Sequence, residues 1–411
     1  MRRWTSSARL KNKKVLLIAY YFPPVGGPGV MRPLKLAKYL GCYGWKPTIL
    51  SVREFVYHLY DPSNLKEVNF PVHRSESLDP ARILHRLGRR RSEGGVVNWW
   101  RKLLNIPDTR GGWLIPGIHY GLKIAKDCRA IIATAPPFTV FLIGLILART
   151  CQIPLICDFR DFWVEFPYLP YYSWQKPIIR FLQDLILKKS SWVTVAFDEI
   201  KGSFPKRYHK KTTVIYNGFD PEDFAPVEKP DVFTISLMGS ITPRRKVEPL
   251  IPALAGLNLK VRLIGYIHPD EQKKIRNLEH IETTGYLAHH EALKRLQSSH
   301  LLILLNSPLD SPAPGRQAEY AATRLPILVV GHTGSCPVLK RLKESGYPVT
   351  FVDYDDTRTL RHKIQEYLHR WRKGEIPQFK GSIDFLDRKY QAGIFSEILD
   401  RCLVMERADE G

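Results

Sequence analysis

The chain has 411 residues, enough for two domains with separate cores, and its 44% hydrophobic and 25% charged content is ordinary for a folded soluble protein. Its net charge of +22 is not ordinary and calls for an anionic partner: nucleic acid, an anionic lipid surface or a phosphate-bearing substrate. The six cysteines form no Cys-x-x-Cys pair and no His/Cys cluster of zinc spacing, which argues against a metal site and reads as reduced cysteines in a cytosolic protein.

Residues 1–9 are basic but lack the apolar core of a signal peptide. The most apolar stretch, Phe138 to Ala148, is about eleven residues long, whereas a membrane span needs about twenty. Any membrane attachment is therefore expected to be peripheral.

Lys13 to Phe22 reads as a buried strand entered from a basic tail. The loop Pro23-Pro-Val-Gly-Gly-Pro-Gly29 follows, then a helix from Val30 to Leu40 with Leu34, Ala37 and Leu40 on its apolar side. Strand, glycine-rich loop and helix make a phosphate- or substrate-facing turn in α/β proteins, although Gly26, Gly27 and Gly29 do not form the dinucleotide fingerprint. Pro47 to Val52 is the next strand.

Between residues 82 and 102, Arg82, Arg86, Arg89, Arg90, Arg91, Arg101 and Lys102 face a single acid, Glu93, with Trp99 and Trp100 close by. Such a composition suits an interfacial anchor on lipid phosphates, and a solvated basic insertion accounts for it equally well. The rest of the chain shows no nucleic-acid motif, so nucleic acid is not an expected partner.

A helix from Trp113 to Lys126 leads to the strand Ala130-Ile-Ile-Ala-Thr-Ala, which stops at Pro136 and Pro137. A second helix runs through Ala148, and the strand Pro154–Cys157 ends at Asp158-Phe-Arg-Asp-Phe-Trp163. Ligands of open parallel sheets bind beyond the carboxyl ends of strands, where Asp158, Arg160 and Asp161 would meet an acceptor. Asp161 is the candidate base for an acceptor hydroxyl, and the competing reading of the cluster is an internal ion-pair network. The aromatic stretch from Phe162 and the helix that follows it carry an apolar face suited to core, to lipid or to a groove for an isoprenoid tail. Pro221 to Pro230 reads as a linker.

The second half opens with the strand Phe233-Thr-Ile-Ser-Leu-Met-Gly239, then Arg244, Arg245 and Lys246, cations able to neutralise a departing diphosphate without a metal. The apolar strands Leu301–Leu305 and Ile327–Val330 bracket one short helix. Pro314 and Gly315 mark its start, leaving backbone N–H groups for an anion, with Arg316 adding a cation. Glu319, one turn on, is placed to accept hydroxyl hydrogen bonds from a sugar or ribose. An arginine for phosphate and a carboxylate for a diol suggest a nucleotide sugar.

Gly315-Arg-Gln-Ala-Glu-Tyr-Ala-Ala-Thr-Arg-Leu-Pro-Ile-Leu328 resembles the donor-site helix of the GT-B glycosyltransferases that include family 4. Ala133-Thr-Ala-Pro-Pro137 followed by Asp158-Phe-Arg-Asp-Phe-Trp163, and Thr213 to Asp220, are similar to further stretches of that family, and the likeness spans about residues 13–385. It implies two doubly wound Rossmann-like α/β domains facing across a cleft, residues 1–226 and 231–385, with residues 386–411 returning to the first. It implies donor contacts from Arg245 and Arg244 and from Tyr286 near the nucleobase, an acceptor-side loop at Gly26, Gly27 and Gly29, and transfer with retention. Ser311 stands where many members carry the first of two glutamates, with Asp310 beside it, and no catalytic histidine is placed. The expectation is a metal- and cofactor-independent glycosyltransferase using a nucleotide-sugar donor and a glycan or lipid-linked acceptor on the cytoplasmic face of a membrane; a non-catalytic nucleotide-sugar or glycan-binding scaffold is the alternative.

Overall fold

A computed structural model describes residues 13–53, 60–79, 82, 106–165, 171–243, 245–276, 278, 280–307, 315–331 and 336–409. The chain divides into two compact units, Met1–Ile215 with Arg388–Gly411, and Tyr216–Asp387. The division falls earlier than the proline-rich linker expected near residues 221–230. That stretch is held to the second unit instead: Gln297 Nε2 donates to Ala225 O at 3.1 Å, and Lys229 Nζ to Ser299 O at 2.8 Å.

The first unit is built on an all-parallel sheet of seven strands in the order β3-β2-β1-β4-β5-β6-β7. They are β1 (Lys14–Ile18), β2 (Lys46–Val52), β3 (Val72–Ser75), β4 (Ala130–Ala135), β5 (Leu155–Phe159), β6 (Trp192–Val195) and β7 (Thr212–Val214). Strands covered on both faces are apolar without alternation, and all six residues of β4 are buried. The helices are α1 (Pro28–Leu40), α2 (Leu114–Ala125), α3 (Thr139–Cys151), α4 (Gln175–Lys189) and α5 (Asp198–Ser203). Because the strand order reverses between β1 and β4, the loops after these two strands diverge and leave a crevice at the carboxyl edge. The last helix of the chain (Arg388–Asp409) buries Ala392, Phe395 and Leu399 in the same core as Leu34, Ala37 and Leu40 of α1.

The second unit repeats the plan with six parallel strands in the order β10-β9-β8-β11-β12-β13. These are β8 (Thr234–Met238), β9 (Lys260–Ile264), β10 (Ile281–Thr283), β11 (Leu301–Asn306), β12 (Ile327–Gly331) and β13 (Val349–Val352). Helices α6 (Leu250–Leu254), α7 (Pro269–Ile275), α8 (His289–Gln297), α9 (Arg316–Ala322), α10 (Pro337–Glu344) and α11 (Thr357–Arg372) complete it, which makes Arg388–Asp409 α12. Leu237, Leu263, Ile303, Val330, Ile364 and Leu368 share its core. Among the described residues, no helix is long and apolar enough to cross a membrane.

Candidate functional site

In the second unit the carboxyl ends of β8 and β11 border an open recess lined by residues 237–241 with Arg245, Ile303, Leu305, Arg316 and Tyr320. Two glycines shape it. Gly239 has φ +127°, and a Cβ there would lie 2.5 Å from Arg316 Nη1 and 3.1 Å from its Cδ. Gly265 has φ +128°, and a Cβ there would lie 2.6 Å from Gly239 O. Glycine at these strand ends lets the two backbones approach and lets the Arg316 guanidinium lie against the chain.

Helix α9 presents the site because its faces differ. Gln317, Ala318, Tyr320 and Ala321 are buried, whereas Arg316 and Glu319 share the half-exposed side. Tyr320 fastens the helix to the sheet: Met238 N donates to its hydroxyl at 2.7 Å, and the hydroxyl donates to Ile303 O at 3.1 Å. Burial pushes this phenol up to about 12, so it stays protonated across the physiological range. Arg316 Nη1 donates to Met238 O at 3.4 Å. The loop after β8 turns back through Arg245 N donating to Thr242 O at 2.7 Å, which brings Arg245 to the recess beside Arg316. Both charged residues among those lining it are cationic, so the recess suits an anion.

Glu319 has a neighbour that sequence reasoning missed: His289 Nε2 lies 2.9 Å from its Oε1, with both side chains partly exposed. His289 is the first residue of α8. Tyr286 is 51% exposed and follows Gly285, whose carbonyl accepts from Gly265 N at 3.0 Å, so the loop carrying Tyr286 is pinned beside the strand-end glycines. Gly315 directly precedes α9, and its carbonyl accepts from Ala318 N and Glu319 N. Arg244, Asp310, Ser311 and Pro314 lie outside the described residues, as do the insertion's cations except Arg82.

The first unit's acceptor-side residues divide. Asp158 is fully buried. Arg32 grips it with Nε to Oδ2 at 2.9 Å and Nη2 to Oδ1 at 2.7 Å, and Thr134 and Thr194 each donate at 2.7 Å. Burial alone would raise this carboxyl, but the Arg32 charge and these bonds outweigh it and hold the group below its ordinary value. Asp158 is therefore placed as an internal ion pair rather than as an acceptor contact, because its oxygens are enclosed.

Arg160 is likewise turned inward, donating to Gly29 O at 2.5 Å, Pro136 O at 2.6 Å and Ala135 O at 3.1 Å. It ties the glycine loop, in which Gly27 takes φ +98° immediately before α1, to the end of β4. Gly26, Gly27 and Gly29 are partly exposed there, and Asp161, half-buried past β5, is the carboxylate of this motif that stays accessible.

A second cluster at this edge was not legible in the sequence. Tyr20, just past β1, donates to Asp79 Oδ2 at 2.5 Å; Arg82 and Arg110 approach the same oxygen at 3.9 and 4.0 Å, and Arg110 lies over the Tyr20 ring. Asp108 caps α3 through Thr139 N at 2.8 Å and is raised by burial despite that bond. Among the described residues, no three His, Cys, Asp or Glu side chains gather where a metal ion could be held.

No family model matches the chain, and no curated protein matches it in sequence. Solved structures do match in three dimensions. HepE from Anabaena, solved in complex with UDP, is 16% identical over 96% of this chain and 98% of its own, with a TM-score of 0.60. Sucrose-phosphate synthase from Thermosynechococcus elongatus is 13% identical over 97% and 99%, with a TM-score of 0.59. A Listeria monocytogenes protein assigned as a UDP-N-acetylglucosamine 2-epimerase is 11% identical over 93% and 95%, with a TM-score of 0.60. At these identities the likeness establishes the fold, two Rossmann-like α/β sheets of the GT-B type, and that alone.

Proposed function

We propose that the chain is a glycosyltransferase that takes a sugar from a nucleoside diphosphate donor bound in the second unit and passes it to a glycan or lipid-linked acceptor. The observation that carries this reading is the cationic recess. Arg316 lies against Gly239 with Arg245 beside it and Glu319 one turn along. Two guanidiniums match a diphosphate, and a carboxylate beyond them matches the ribose hydroxyls. Stabilising the departing diphosphate with arginines would make the transfer metal-independent. The fold neighbour HepE has been solved with UDP and with UDP-glucose, which supports a nucleotide sugar as the ligand.

On this reading Tyr286 and Arg244 complete the donor site, Asp161 acts as base toward the acceptor hydroxyl, and the transferred sugar, of the hexosyl class, keeps its anomeric configuration. The glycine loop at Gly26, Gly27 and Gly29 faces the acceptor, and the setting is polysaccharide or glycolipid assembly on the cytoplasmic side of a membrane. One observation favours the non-catalytic scaffold: with Asp158 enclosed by Arg32, the first unit's motif offers Asp161 alone as an accessible carboxylate. Incubation with UDP-, GDP-, ADP- and dTDP-sugars and a lipid-extract acceptor separates the two, since a scaffold binds donor without consuming it. Arg316→Glu should abolish donor binding, and unchanged affinity would sink the assignment.

A further inference from the structure

Helix α4 of the first unit leaves an apolar stripe uncovered. Trp174, immediately before its first residue, and Ile178 and Phe181 recur at i, i+4 and i+7, so they share one side of the helix. They are 50%, 39% and 67% exposed, while Ile179, Ile186 and Leu187 of the same helix are buried in the core. Both faces of the helix are thus apolar, and among the described residues only one is covered. Tyr172 adds another exposed ring just before the stripe. A contiguous apolar strip of this kind marks an interaction surface.

The surroundings of the stripe are basic. Lys188 and Lys189 end α4 and are exposed. The segment Lys206–Lys211 is fastened alongside: Arg207 Nη2 and Tyr208 Oη donate to Asp184 Oδ1 at 2.5 and 2.9 Å, and Lys211 Nζ donates to Ser190 O at 2.6 Å. That segment leaves Lys206 and Lys210 exposed. Asp184 is the single acid of α4 and is already paired with Arg207. Near the other end, Glu165 lies 3.6 Å from Lys176 and 3.8 Å from Arg180 and offsets part of their charge.

We propose that this face docks on an anionic lipid surface. Trp174, Ile178 and Phe181 enter the headgroup region, and Lys188, Lys189, Lys206 and Lys210 meet lipid phosphates. A second copy of the chain is the poorer occupant, because pairing two such faces would set lysines against lysines in a molecule already carrying +22. The docking surface stands apart from donor chemistry and rests on the proposed function only for its consequence, that the acceptor is presented by that membrane.

The test is co-sedimentation of the full chain with vesicles of phosphatidylcholine, or of equal parts phosphatidylcholine and phosphatidylglycerol, with no nucleotide sugar present. The wild type should pellet with the mixed vesicles only and be released as salt rises. Phe181→Asp, and separately the pair Lys188→Glu and Lys189→Glu, should each weaken binding by at least about tenfold. Their thermal midpoints should stay unchanged, since these side chains lie outside the core. Binding by Phe181→Asp equal to wild type, no binding by the wild type, or a solution dimer that Phe181→Asp dissolves would each overturn the proposal. None of these outcomes bears on donor binding, so failure here is distinguishable from failure of the transferase reading.

Discussion

His289 Nε2 lies 2.9 Å from Glu319 Oε1, joining the first turn of α8 to the half-exposed face of α9. A carboxylate meant for a diol must point in one direction, and a hydrogen bond from a neighbouring ring fixes it. His289→Ala is therefore expected to weaken nucleoside diphosphate binding by about tenfold, the order of one hydrogen bond to a charged group. Titration calorimetry with a 2′,3′-dideoxynucleotide supplies the discriminating comparison. Wild type and variant should bind that analogue equally, whereas a general loosening of α8 would weaken both ligands alike.

Gly239 and Gly315 should behave differently when changed to alanine. At Gly239 the added Cβ meets Arg316 at 2.5 Å and the backbone has φ +127°, so strain on the order of 1–3 kcal/mol and displacement of the guanidinium are expected. At Gly315, with φ −51°, the Cβ finds nothing within 4 Å. Gly239→Ala should lower the thermal midpoint and abolish donor affinity, and Gly315→Ala should leave the midpoint near wild type.

Asp158→Asn should unfold readily. It leaves the Arg32 guanidinium buried without its anion, a loss of about 3–5 kcal/mol in chemical denaturation at neutral pH. The sign with pH follows from the depressed carboxyl. Its stabilisation is full above the unfolded value of about 3.9 and is lost as pH falls through the lower folded value, so wild type and variant converge only in that acidic range. Convergence at pH 6 would mean that another group carries the dependence.

Tyr320→Phe should lower stability by about 1–3 kcal/mol by leaving Met238 N–H and Ile303 C=O short of a partner in the core. The tyrosine's contribution is expected to hold below pH 10 and to decline as pH rises toward 12, because its folded value is raised. Denaturation of wild type and variant at pH 8 and pH 11 measures it.

How much of this was legible in the sequence depends on the distance over which each feature is encoded. Strands such as Leu301–Asn306 are continuous apolar runs, and the Arg316–Glu319 spacing is a local helical relation, so both read directly. The partners of charged groups did not. Asp158 could be placed at a strand end, but its enclosure comes from Arg32, 126 residues away, and from threonines on two other strands. Tyr20 and Asp79, 59 residues apart, meet only because β1 and β3 end at the same edge of the sheet. The division near Ile215 was hidden for the same reason: prolines and acids at 221–230 look like a linker until Ala225 and Lys229 are seen bonded to the second unit.

Whether Arg316, Arg245 and Glu319 hold a nucleoside diphosphate is decided by a thermal-shift screen of wild type and Glu319→Ala against nucleoside diphosphates and their sugars. A ligand at about a hundredfold over its dissociation constant adds roughly 2.7 kcal/mol to the folded state. One nucleotide should raise the wild-type midpoint, and the rise should shrink in Glu319→Ala. No shift with any nucleotide, or an equal shift in the variant, would contradict that assignment.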